Sequence, residues 1–285
     1  MERSTRARPP SAGKVRPAPA GRAGPATPKD FTPQKGLAHP TLRYGPEDGN
    51  APAGGLAVLL HGCGGSAHCM MQLAEEWARE MPHLAFVMPT APIRGEFSAW
   101  FARHRDTRRC IRFEAITKEL LDLIWEECRC LNLGLDKVVL FGCSAGALMA
   151  GWLEVQLPKA CAGLVLLHGR APDSHVLPAP PNKRVRPPTL VLAGGEDLQI
   201  PPSVVADAVE VLKKNGYRDV IYHVEPGHGH DISLNELQLT GEFLKSSLPK
   251  AMKRLPGRSR KSWEDPGESP ETPSGLGQAP LQDKV

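Results

Sequence analysis

Between Leu56 and Leu248 short runs of apolar, β-prone residues alternate with longer segments of helical period. This alternation limits the fold more than any other feature of the chain. "LAVLL" at 56–60, "LAFVMP" at 84–89, "KVVLF" at 137–141, "GLVLLH" at 163–168 and "TLVLAG" at 189–194 are too short and too uniformly apolar for surface helices. They read as strands buried on both faces. "DVIYHVE" at 219–225 alternates like a further strand. The intervening helical patterns fall at 70–81, about 114–130, 146–157, 203–216 and 233–248. Lys213 and Lys214 before Gly216 mark a helix C-terminus, and Ser233 with Glu236 has capping-box spacing. Strands that alternate with helices in this way predict an α/β domain with a doubly wound, mostly parallel sheet flanked by helices.

The flanks have a different composition. Residues 1–54 hold ten prolines and almost no apolar periodicity, which predicts a disordered Pro/Arg-rich extension. Residues 249–285 run from a basic stretch at 250–261, with six Lys/Arg and no acid, into an acidic Pro/Ser-rich stretch. That predicts a second disordered tail. The domain proper is thus expected at 55–248, a usual size for one α/β core. The net charge of +4 is modest, and the basic residues crowd into the tails, a distribution that does not suggest a nucleic-acid-binding domain.

The segment 250–261 is expected to make peripheral membrane contact at most. No apolar run approaches the length of a bilayer span. Seven cysteines without C-x-x-C pairing point to reduced thiols in a cytoplasmic setting rather than to a disulfide framework or a zinc site. The first 29 residues carry seven Lys/Arg and one acid, which leaves an organelle transit peptide open, although six prolines oppose the helix such a peptide forms.

In a parallel α/β sheet, sites form beyond the carboxyl ends of the strands. Three loops there carry reactive side chains. Gly142-Cys143-Ser144-Ala145-Gly146 joins a strand to a helix. A serine at the apex of so tight a turn, with glycine two residues to either side, is presented outward as a nucleophile. Such a hydroxyl needs a base, and the base needs a carboxylate to orient it. Asp197 lies just past the strand 189–194, in Gly194-Gly195-Glu196-Asp197, which is also a plain turn sequence. His230, in "EPGHGHDIS", lies between the last strand and the last helix, with His228 as its competitor for the role of base.

The oxyanion formed on attack is expected to be met by the backbone N–H groups of Ala145, at a helix start, and Cys63, in the glycine-rich loop "HGCGGSAH". His61 is read as a buried residue that ties this loop down. Cys143 is read as a packed side chain pointing away from Ser144. Trp100 and Phe101 suit either an acyl-group wall or the core.

From about Ala57 to Leu248 the sequence resembles the phospholipase/carboxylesterase family of the α/β-hydrolase superfamily, which contains acyl-protein thioesterases. The resemblance rests on His61-Gly62-Cys63-Gly64-Gly65-Ser66, Pro89-Thr90-Ala91-Pro92, Trp100-Phe101 and the Ser144 turn. It extends to Gly194-Gly195-Glu196-Asp197 with Pro201, and to Gly227-His228-Gly229-His230-Asp231-Ile232-Ser233. It implies an α/β-hydrolase fold and selects the same three residues, Ser144, Asp197 and His230, in the order Ser, Asp, His. The implied reaction is metal-independent and cofactor-independent hydrolysis of acyl esters or thioesters through an acyl-serine, on small molecules or lipidated proteins. Ala145 stands where the family usually has glutamine, Ala193 where it has histidine, and Gly65 where it has aspartate. The substrate is therefore less defined than the chemistry. "HGCGGSA" with "SAG" also resembles polyester depolymerases and feruloyl esterases, which gives a second substrate class, and a hydrolase-fold binding protein is the non-enzymatic alternative.

Overall fold

The computed structural model describes residues 40–46, 52–94, 97–103, 110–111, 113–171 and 185–248. The expected N-terminal tail up to residue 39, and the C-terminal tail with its basic stretch 250–261, lie outside the described residues.

The main sheet is built from β1 (Thr41–Tyr44), β2 (Gly55–Leu60), β3 (Leu84–Pro89), β8 (Val138–Cys143), β9 (Gly163–Leu167), β10 (Thr189–Gly194) and β11 (Val220–Glu225). Two small antiparallel pairs come between β3 and the second helix: β4 (Ile93–Arg94) with β5 (Phe97–Ser98), and β6 (Ala102–Arg103) with β7 (Cys110–Ile111). The order across the main sheet is β1-β3-β2-β8-β9-β10-β11. Every pair is parallel except β1 with β3. The helices are α1 (Ala67–Ala78), α2 (Phe113–Leu131), α3 (Ala145–Gln156), α4 (Pro202–Lys214) and α5 (Leu234–Ser247).

Strand side chains alternate between two apolar layers, because successive Cβ atoms of an extended chain point to opposite faces. Leu56, Val58 and Leu60 of β2, Leu140 of β8, Leu166 of β9 and Val191 of β10 enter one layer, where α2, α3 and α4 supply Leu120, Ile124, Leu153 and Val209. Ala57 and Leu59, Val139 and Phe141, Val165, and Leu192 enter the other, against Trp77 of α1 and Phe243 and Leu244 of α5. Burial on both faces explains why these strands read as unbroken apolar runs. In the second layer the Trp77 indole N–H donates to the Leu237 carbonyl at 3.0 Å, fixing α1 to α5.

Three local readings differ from the fold. The segment expected to be disordered contains β1, so the sheet begins before residue 55. Its half-buried residues pair with β3 in the register Thr41↔Pro89 to Tyr44↔Phe86. Tyr44 meets Phe86 edge-on at 6.3 Å, and Arg43 donates to Glu127 of α2 at 2.6 Å. Four residues flanked by prolines have too little periodicity to reveal such a strand. The first helix spans 67–78 rather than 70–81, starting directly after Ser66. The small pairs β4–β5 and β6–β7 were not anticipated.

One buried polar cluster crosses the first layer. Glu154 of α3 is fully buried and accepts from Arg186 Nη1 at 3.2 Å and from the Tyr217 hydroxyl. The Arg186 guanidinium also lies 5.0 Å over the Tyr217 ring. Burial, followed by the nearby Glu154 charge, pushes the Tyr217 hydroxyl well above its ordinary value and keeps it a donor. Removing the cation leaves a carboxylate in the interior without its charge partner. Arg186→Met is therefore expected to lower unfolding stability by about 3–5 kcal/mol, read as a shift of the denaturant midpoint at unchanged slope.

Candidate active site

Parallel pairing brings β8, β9, β10 and β11 to the same sheet edge with their carboxyl ends together, and the three candidate residues leave from that edge. Ser144 follows β8 directly and precedes α3. Its backbone has φ 53° and ψ −114°, a conformation that costs of order 1–3 kcal/mol for a residue with a Cβ. Neighbouring strands and helix impose it. The Ser144 N–H donates to Leu167 O at 2.8 Å. A Cβ on Gly146 would stand 2.2 Å from Leu60 O, and one on Gly142 would stand 2.1 Å from Gly146 O. Both positions therefore require glycine, which accounts for the G-x-S-x-G spacing.

Asp197 sits in the turn after β10 with its side chain buried. Its Oδ1 accepts the amide N–H groups of Gln199 at 2.8 Å and Ile200 at 2.9 Å. Its Oδ2 is 2.6 Å from His230 Nδ1. Burial alone would raise the Asp197 carboxyl. The hydrogen bonds from His230, Ile200 and Gln199 outweigh it and hold the group below the usual aspartate value. An anion at Oδ2 makes Nδ1 of His230 the protonated nitrogen and leaves Nε2 as the acceptor. That acceptor is 3.0 Å from Ser144 Oγ. The three residues so form an unbroken hydrogen-bonded series from hydroxyl to imidazole to carboxylate. His228, the competitor, takes no part in it and instead offers its main-chain carbonyl to Glu196 N at 2.8 Å.

The loop after β2 faces the same hydroxyl. A Cβ on Gly62 would come within 3.3 Å of Ser144 Cβ, so the loop backbone lies against the serine. His61 is fully buried and fixes the loop at several points. Its Nε2 accepts the Ala91 N–H at 2.9 Å, its Nδ1 faces Gly62 O at 2.6 Å, and its own carbonyl accepts the Trp100 indole N–H at 2.7 Å. Burial, only partly opposed by the bond to Gly62, lowers the His61 ring below the ordinary histidine value, so it is held neutral. Trp100 is buried to 1% exposure and stacks on His61 at 4.9 Å between ring centroids. Of the two roles open to it in the sequence, packing is the one the structure displays. Phe101 is half-buried against the same layer.

At the start of α3 the Ala145 N–H has no acceptor one turn back within the helix. Cys63 is in this exposed loop and Ala145 is the first residue of α3. Cys143 packs into the second apolar layer. Burial, followed by the charges of Glu236, Asp197 and Asp231, pushes its thiol up to about 12, so it offers no thiolate to compete with Ser144.

His168, at the end of β9, was missed in the sequence. It is fully buried, has φ 48°, and lies 5.7 Å from His230 between ring centroids. The available signal was a histidine closing an otherwise apolar strand at the carboxyl edge. His168, Asp197 and His230 each offer a ligand atom, and these atoms lie within 4.8 Å of one another. Each atom is already occupied: His168 Nδ1 accepts the Gly194 N–H at 3.1 Å, and Asp197 and His230 are bonded to each other. The group is satisfied without a cation. None of the described cysteines is in a disulfide, and no described helix is long and apolar enough to cross a membrane.

A family model described as Phospholipase/Carboxylesterase matches residues 47–248. Acyl-protein thioesterase 1 of Debaryomyces hansenii is 25% identical over 217 residues, covering 70% of this chain and 94% of that protein. The protein of the same name from Neurospora crassa is 25% identical over 221 residues, covering 68% and 86%. Among solved structures, esterase PE8 superposes with a TM-score of 0.64 at 26% identity, covering 74% of this chain and 99% of that one. Acyl-protein thioesterase 2 of Zea mays shares the fold, with a TM-score of 0.60 at 20% identity over 74% and 99% of the two chains. With a match over most of its length, the chain belongs to the phospholipase/carboxylesterase family.

Proposed function

We propose that the protein is a serine hydrolase that cleaves acyl esters or thioesters, with Ser144 as nucleophile, His230 as general base and acid, and Asp197 as the group that orients the imidazole. The observation that carries this reading is the series Ser144 Oγ to His230 Nε2 at 3.0 Å and His230 Nδ1 to Asp197 Oδ2 at 2.6 Å, at the head of a strained turn. As Oγ adds to the acyl carbonyl, its proton passes to Nε2, and the Asp197 anion stabilises the imidazolium that results. The carbonyl oxygen becomes an oxyanion in reach of the Cys63 and Ala145 N–H groups, the second aided by the α3 dipole. Collapse expels the alcohol or thiol, which takes the proton from Nε2 and leaves an acyl-serine. Water then repeats the sequence and releases the acid. The reaction needs no metal or cofactor.

The relatives' names point to lipidated proteins or smaller acyl esters as substrates. Alanine in place of glutamine at 145 keeps the backbone donor and removes a side chain beside it. A series of p-nitrophenyl esters of increasing acyl length, run beside a palmitoyl-peptide thioester, separates thioesterase from general esterase. Turnover confined to hydroxycinnamate or polyester substrates would move the protein to that alternative, and no turnover of any of these would favour a binding role.

Ser144→Ala is expected to reduce kcat/KM by at least about 10³-fold and to abolish covalent labelling by a fluorophosphonate; full turnover in that variant would end the proposal. The pH dependence follows from the carboxyl. A depressed Asp197 stays ionised while the imidazole titrates, so the acidic limb of kcat/KM is expected to follow one ionisation, that of the imidazole. The same depression means that Asp197 stabilises the fold above the ordinary aspartate value, a contribution lost as pH falls through its depressed one. Asp197→Asn keeps the shape but can offer the ring a donor in place of an acceptor, and kcat is expected to fall by about 10³–10⁴-fold, measured with a short-chain ester.

A further inference from the structure

Behind the proposed site lies a second histidine–carboxylate pair with no part in the reaction described above. His168 and Glu236 are both fully buried. His168 Nε2 is 3.2 Å from each carboxylate oxygen of Glu236, and Glu236 Oε2 also accepts the Ser233 N–H at 2.9 Å. On the other side of the ring, Nδ1 accepts the Gly194 N–H at 3.1 Å and is 3.5 Å from Asp197 Oδ2. A ring that donates at Nε2 and accepts at Nδ1 is the neutral Nε2–H tautomer.

We propose that Glu236 and His168 are positioning residues: Glu236 locks His168 as the Nε2–H tautomer, so that a bare Nδ1 faces Asp197 and leaves Oδ2 to His230 alone. The argument turns on one oxygen. With its proton on Nδ1, His168 would point an N–H at Asp197 Oδ2 and compete with His230 for it. It would also set two N–H groups, its own and that of Gly194, against each other. The buried carboxylate prevents this by demanding the proton at the far nitrogen. Glu236 thus has two tasks. As the third helical residue it completes the capping box of α5, with Ser233 Oγ accepting its N–H at 3.0 Å. As the partner of His168 it sets the proton distribution one residue removed from the triad. His168 is placed to transmit this because its left-handed backbone ends β9, its N–H donates to Leu192 O of β10 at 2.9 Å, and its ring packs edge-on to His230.

The titratable groups around the two imidazoles come from four places. They are Asp197 in the turn after β10, Glu236 on α5, Asp231 next to His230, and Cys143 at the end of β8, whose thiol senses all three carboxylates. Of these, Glu236 alone bonds to His168 Nε2.

This inference rests on the serine-hydrolase reading, and the test separates the two. Glu236→Gln keeps the size of the side chain. Its carbonyl can still accept the Ser233 N–H, which puts the amide N–H₂ in the place of Oε1, 3.2 Å from His168 Nε2, and removes the charge that holds the proton on that nitrogen. Expected is a fall in kcat of about 10- to 100-fold on a short-chain ester with KM little changed. The acidic limb of kcat/KM should move to lower pH by at least about half a unit, because the imidazole of His230 loses part of its carboxylate partner and a nearby buried charge. Ser233→Ala removes the capping hydroxyl without touching the ring. It should lower the melting temperature while the acidic limb stays in place.

Histidine ¹⁵N correlation spectra of the full chain supply a readout independent of turnover: His168 in the unsubstituted protein should carry its proton on Nε2, and in Glu236→Gln should populate the Nδ1–H form. The proposal is overturned if the unsubstituted protein shows the Nδ1–H form, if Glu236→Gln keeps the original acidic limb, or if Ser233→Ala shifts that limb equally. If the unsubstituted protein turns over no ester at all, the hydrolase reading fails, and the tautomer in the unsubstituted chain then decides this one. The same spectrum serves if Glu236→Gln does not fold.

Discussion

The close approach of α3 to the end of β2 is the contact on which the site depends. The Gly146 Cα lies so near the Leu60 and His61 carbonyls that a methyl group would stand 2.2 Å and 2.7 Å from them. At that separation the helix can start only if the chain reverses within one residue. Ser144 takes the strain of that reversal, and its hydroxyl meets His230 Nε2. The same contact brings the first turn of α3 against the start of the loop that follows β2. The strain at Ser144 and the close approach of α3 to β2 thus share a single steric cause, and Gly142 and Gly146 are its record in the sequence.

Much of this was legible because it is local. Burial on both faces writes itself as unbroken apolar runs, and five of the inner strands were found in that way. The tight turn is written as two glycines, and the carboxyl-edge rule then placed Ser144, Asp197 and His230 at one rim. What could not be read depends on distant partners. β1 is recognisable only through its pairing with Pro89 to Phe86. The role of Trp100 follows from His61, thirty-nine positions away, and an aromatic residue in a charged loop has no local mark to tell a ligand wall from a buttress. His168 ends an apolar strand as a surface histidine might, and Glu236 had already been explained as a cap, which hid its second contact.

Polar groups are buried in this domain in two different ways. The Glu154–Arg186–Tyr217 cluster spans the first layer well away from the serine, and its task is to hold α3 against the later part of the chain. The His168–Glu236 pair lies against His230 and Asp197, where a polar atom also sets the field at an imidazole. Both hold interior charge with hydrogen bonds, each leaving one buried atom, Arg186 Nη2 or Glu236 Oε1, without such a bond. The two are distinguished by where a change in protonation would be felt.

The antiparallel β1 has a consequence for handling the molecule. Its hydrogen bonds cover the outer margin of β3, and Tyr44 shields Phe86. A recombinant form trimmed back to the compositional boundary at residue 55 would bare that margin as a row of unsatisfied peptide groups beside an aromatic ring, an invitation to intermolecular strand addition. Shortening of the N-terminus should therefore stop ahead of Pro40, however tail-like the preceding residues look.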